Sequence, residues 1–189
     1  STRMGPRREF APEYRAITLQ ALSHDEVDAL IDDVLQRADH VPIQLRTQVR
    51  EQCDGNPFHV EELLKMLIDD GAISTGETWR VDLDRLLKVK VPTTLTGVLQ
   101  GRLDRLPEEQ FRALQAASVL GRSFWVDAVS SILGAELSAR PAIERLVGTE
   151  LIRREPVSRF VGTDELLFKH EFTRAVTYET IGLGERPAL

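Results

Sequence analysis

The side chains able to do chemistry are sparse and scattered. The four histidines, His24, His40, His59 and His170, stand in unrelated contexts, and no His-Glu-x-x-His or other carboxylate–imidazole spacing suited to a metal surrounds any of them. No Gly-x-Ser-x-Gly elbow offers a nucleophile. No Gly-x-x-x-x-Gly-Lys-Ser/Thr loop can cradle phosphates with its backbone N–H groups, and no strand ends in an acidic pair that would hold Mg²⁺. The lone cysteine, Cys53, excludes an internal disulfide framework and a cysteine metal cluster, and reads as a small buried hydrophobe. Two stretches remain. Gly55-Asn56-Pro57-Phe58-His59-Val60-Glu61-Glu62 opens a helix, and Phe168-Lys169-His170-Glu171-Phe172-Thr173-Arg174 places an imidazole at the start of another. An imidazole can donate one or two hydrogen bonds and titrates near neutrality, and helix N–H groups attract anions. His170 can equally cap that helix or pack beneath it.

The first stretch is a well-punctuated helix start. Gly55 permits a sharp entry that a side chain could block. Asn56 is a good N-cap, Pro57 suits the first helical position, and Glu61 and Glu62 sit where the helix dipole favours negative charge. Val60, Leu63, Leu64, Leu67 and Ile68 form the core-facing stripe, and Gly71 closes the helix.

The elements that must position these two stretches follow from periodicity. Residues 4–16 are polar and turn-rich, a leader or linker. Ser23-His24-Asp25-Glu26 is a capping box, and Val27, Leu30, Ile31, Val34, Leu35 and Ala38 predict an amphipathic helix over 24–39. Further helices are predicted at about 42–53 and 93–105, with a small hairpin or an irregular turn over 72–82. Pro107, Glu108 and Glu109 start a new helix over 108–120 after a hinge at Leu106-Pro107. Helices at about 124–133 and 138–148 come next. Residues 151–154 and 165–169 read as extended, and a last helix runs from 171 to 181. Three helices followed by a hairpin is the order of a winged helix. The fold class is therefore mainly α.

Gly55-Asn56-Pro57-Phe58 with Val60-Glu61-Glu62-Leu63 resembles the Gly-x-Pro motif of STAND-class ATPases, the multidomain switches that include regulators fused to adenylyl cyclase domains and MalT-like transcription activators. Arg102-Leu103-Asp104-Arg105-Leu106-Pro107 resembles the family's Arg-Leu-x-x-Leu-Pro phrase. Ala116-Ala117-Ser118-Val119-Leu120-Gly121 before Phe124 resembles its Ala-Ala-x-x-Gly before Phe, and the stretch 168–178 its Phe-x-His-x-Leu-x-Arg-x-x-x-Tyr. The resemblance implies a leader over 1–16 from a preceding ATPase core, a helical lid over 17–106 and a winged helix over 107–189. It implies that Gly55, Asn56 and Pro57 lie near the adenine and ribose of ATP or ADP held by the parent protein. It also implies that His170 folds onto the β-phosphate of ADP, with Glu171 departing from the related motif. Thr2-Arg3 would be the remnant of the core's last strand, and Arg3 would stand where a sensor arginine reaches the γ-phosphate. From the residues alone Arg3 is an ordinary surface arginine.

On this reading the chain is not an enzyme by itself and binds no nucleotide alone. It is the regulatory arm of a signalling or transcription-regulating ATPase, clasping the nucleotide in the ADP state and swinging away on exchange. Its partners are the preceding nucleotide-binding core and a following output or sensor domain, with oligomerisation open to it in the active state. A winged-helix DNA-binding regulator is the rival function, with 138–148 as recognition helix and Arg153, Arg154 and Arg159 on the wing. A plain helical interaction scaffold is the third. The composition is 42% hydrophobic and 29% charged, with a net charge of −6 and a pI near 5.3. That balance suits a soluble globular protein and weighs against DNA and anionic membranes as partners. No window approaches a membrane span and no signal peptide opens the chain, so the cytoplasm is the expected compartment.

Overall fold

The computed structural model describes residues 17–134 and 139–182. The first helix, α1 (His24–Val34), opens on the expected capping box. The Glu26 N–H donates to Ser23 Oγ at 3.3 Å and the Ser23 N–H returns a bond to the Glu26 carboxylate at 2.8 Å. It ends earlier than the apolar pattern suggests. Ala38 leaves the helix to bridge Trp79, and the Trp79 N–H donates to the Arg37 carbonyl at 2.8 Å. A tertiary partner here outcompetes the last helical turn. Then come α2 (Ile43–Cys53), α3 (Pro57–Asp69) and a two-stranded hairpin of β1 (Ile73–Ser74) and β2 (Arg80–Val81). A single turn, α4 (Leu83–Leu86), is set by the Asp82 carboxylate accepting the Arg85 N–H at 3.0 Å. It carries too few residues to show a period. In α5 (Leu95–Leu103) the Thr94 hydroxyl caps the Gly97 N–H at 3.1 Å. Val27, Ile31, Leu45, Val49, Val60, Leu63, Leu64 and Leu67 form the core of this first unit, and Cys53 is buried among them.

The second unit starts with α6 (Glu108–Leu120), where Pro107 stands at the N-cap. Strand β3 (Ser123–Trp125) follows, then α7 (Val126–Leu133), α8 (Ala139–Val147), β4 (Ile152–Arg154), β5 (Glu165–Phe168) and α9 (Glu171–Glu179). The three strands form one antiparallel sheet in the order β3-β5-β4. The sequence reading starts a helix at 124; instead Phe124 lies in β3, fully buried and opposite Leu166. An aromatic on a pleated, half-buried surface is a favourable strand residue, and only the partner strand reveals it. Thus the molecule is mainly α with two small antiparallel sheets.

The junction between the units is α5 itself. Val98 packs in the first core, whereas Leu99 and Leu103 belong to the second, with Phe58 and Leu95 packed against it. That places the first turn of α3 beside the start of α9.

Candidate functional site

The entry into α3 is built as its residue types require. Gly55 has φ +69°, and a Cβ there would lie 2.9 Å from the Leu22 nitrogen, 3.0 Å from the Ala21 Cβ and closer still to the Leu22 carbonyl oxygen. The Leu22 N–H in turn donates to the Gly55 carbonyl at 2.8 Å. Asn56 Oδ1 accepts the N–H groups of Phe58 and His59 at 3.0 and 3.3 Å, and Pro57 takes the first helical position. The free donors of this helix end are thereby largely occupied.

Phe58 then meets the second stretch. Its ring stacks on the His170 imidazole with centroids 3.9 Å apart and planes 25° apart. His170 is the N-cap of α9 with extended backbone, but its side chain makes no capping bond. The two residues before it are held by the sheet: the Lys169 N–H donates to the Leu151 carbonyl at 3.1 Å and the Phe168 N–H to the Arg122 carbonyl at 2.9 Å. The capping alternative for His170 is therefore set aside, while packing under the helix end holds in part. His170 Nε2 is buried without a hydrogen-bond partner among the described residues, and so is Nε2 of His59, which is itself 5% exposed. Burial pushes the His170 pKa down; Glu62 and Glu61 pull it up more weakly, and Lys169 and Lys65 add to the depression. Burial likewise lowers His59. Both rings thus take up a proton less readily than a free imidazole, and a neutral imidazole nitrogen can donate or accept one hydrogen bond.

A belt of charge runs beside this stack and is absent from the sequence reading. Glu62 and Arg102 form an ion pair with side chains only 3% and 7% exposed. Arg102 also donates to the Thr149 carbonyl at 3.0 Å and lies 3.5 Å from Asp69. Lys65 lies 3.8 Å from Glu61, 3.3 Å from Glu62 and 2.7 Å from Glu150, and Lys169 lies 3.6 Å from Glu150. The expectation that Glu61 and Glu62 sit in the first turns of α3 for the helix dipole is corrected: the first turn holds no acidic residue, and Glu62, further along, pairs with Arg102. The available signal was Arg102, a cation in the apolar phrase that ends α5. Its partner 40 residues away could not be read locally.

The basic groups of the rival DNA-binding reading are all engaged. Arg140 pairs with Asp164 at 2.6 Å, Arg145 with Glu109 at 3.1 Å and Arg153 with Glu155 at 3.4 Å. Arg154 pairs with Glu144, and Arg159 with Glu165 at 2.6 Å while lying over the Trp125 ring. Arg3 and the 1–16 leader lie outside the described residues.

Among curated proteins, hybrid signal transduction histidine kinase G of Dictyostelium discoideum is similar to this chain, 24% identical over 131 residues. The match spans 68% of this chain but only 4% of that protein. No family model and no solved structure matches the chain.

Proposed function

We propose that this chain is the regulatory arm of a STAND-class signalling ATPase, a helical lid followed by a winged-helix unit, without catalysis of its own. The observation that carries the reading is the Phe58–His170 stack, since it joins the two stretches on which the resemblance rests. Helices α6, α7 and α8 with the β3-β5-β4 sheet are the parts from which a winged helix is made, which supports the second half of the reading. Similarity to a signalling kinase, by its name, is compatible with a role in signal transduction.

ATP or ADP, when held by the parent protein, would supply phosphate oxygens and a purine. A buried imidazole nitrogen without a partner fits a phosphate oxygen, and the Asn56-Pro57 turn offers a short, rigid helix entry. This chain has no phosphate loop, so its residues orient and retain rather than bind alone. His170 would offer Nε2, Phe58 would hold the imidazole plane, and Gly55 and Pro57 would fix where α3 begins. A ligand shifts such an arm only through contacts that differ between two poses.

The test is dissociation of a fluorescent ADP analogue from the parent protein carrying His170→Ala. Faster release with raised basal output is expected; an unchanged off-rate removes His170 from the site. For the chain by itself, calorimetry with ATP and ADP should show binding no tighter than millimolar. Clear micromolar binding would overturn the claim that the main cradle lies elsewhere.

A further inference from the structure

The turn between α8 and β4 is gripped from outside its own unit. Gly148, Thr149 and Glu150 line a cleft of about 280 Å³ together with Lys65, Ile68, Asp69 and Arg102. Arg102 holds the Thr149 carbonyl, and Lys65 holds the Glu150 carboxylate at 2.7 Å. Glu150 has φ +60°, a left-handed conformation that a long side chain rarely adopts and that persists only where surroundings enforce it. The charges in this belt divide in a particular way. If the turn withdrew, Lys65 would keep Glu61 and Glu62, and Arg102 would keep Glu62 and Asp69. Glu150, with its side chain 55% exposed, would keep Lys169 of its own unit and gain water. Separation leaves no buried charge orphaned on either side. A fixed buried pair is costly to part because it strands a charge, and this one does not.

The same junction also holds apolar and stacking contacts, Leu99 and Leu103 in the second core and Phe58 on His170. Apolar contact is non-directional and can hold two bodies in several poses; charge-assisted hydrogen bonds select one. We propose that residues 148–150 form a reversible ionic catch, released as Glu150 leaves Lys65, that fixes the second unit in one of two poses on the first. The inference rests on contacts within this chain and stands whether or not the parent binds nucleotide.

Spin labels at Asp33→Cys on α1 and Ser131→Cys on α7, both exposed positions, report the distance between the units; Cys53, 1% exposed, stays unlabelled. The unsubstituted belt should give one narrow distance. Glu150→Lys, facing Lys65, Arg102 and Lys169, should add a second, broader distance and raise the open-to-docked ratio roughly fivefold. Glu150→Gly removes the carboxylate while easing the backbone, so it can still fold and should open the joint too. Glu155→Gln, on the same unit but outside the belt, should leave the distance as it was. A single narrow distance in folded Glu150→Gly overturns the catch, whatever becomes of Glu150→Lys. So does an equal change in Glu155→Gln.

Discussion

Gly55→Ala and Gly101→Ala are the same chemical change, yet the structure gives them opposite signs. At Gly55 the backbone has φ +69°, which costs an L-residue about 1–2 kcal/mol. The new methyl would also press on the backbone of Leu22, which cannot rotate aside as a side chain would. Residues 21–22 must then withdraw, weakening the 2.8 Å bond from the Leu22 N–H to the Gly55 carbonyl, a loss of about 1 kcal/mol. The sum is about 2–3 kcal/mol of destabilisation, or a melting temperature lower by roughly 4–12 °C for a chain of this size. Gly101 lies within α5, and a Cβ there meets nothing within 4 Å. Alanine at that position should stabilise the helix by up to about 1 kcal/mol, raising the melting temperature by roughly 2–4 °C. Thermal denaturation followed by circular dichroism on both variants decides the matter. If Gly55→Ala melted within about 2 °C of the parent, the close approach of α3 to residues 21–22 would be wrong, and with it the placement of the site's first turn.

His59 and the half-buried His170 both carry pKa values pushed below the ordinary 6.5, so the folded protein binds these protons less readily than the unfolded chain. Stability should therefore be full above pH 6.5 and fall as the pH drops through the histidine range, and His59→Gln with His170→Gln should flatten that slope in urea titrations. A parent profile already flat between neutral and mildly acidic pH would contradict their burial. The Cys53 thiol, 1% exposed and with its pKa pushed up to about 12 by burial, should resist a disulfide reagent in the native protein and react at once in denaturant. Rapid stoichiometric reaction under native conditions would refute its place in the core.

Local hydrogen bonding and backbone geometry were determined by the sequence alone. The Ser23–Glu26 capping box, the Asn56-Pro57 helix start and Gly71 past the end of α3, at φ +68°, each involve groups within four residues of one another. Over so short a span the residue types leave few geometries. The mainly α class and the two late strands were legible for the same reason, as period and punctuation are properties of neighbours. What α1 gives up at its end, and that Phe124 is a strand residue, depended on Trp79 and Leu166, which lie far along the chain.

The candidate site divides likewise. His170 and the 55–58 turn stood out by type and spacing, but only tertiary packing set Phe58 face to face with the imidazole. Only packing made Glu62 the partner of Arg102, and committed Arg140, Arg154 and Arg159 to carboxylates. Charge pairing acts over a few ångströms of space and is indifferent to separation in sequence, so its partners are settled when the two cores close on α5 and not before.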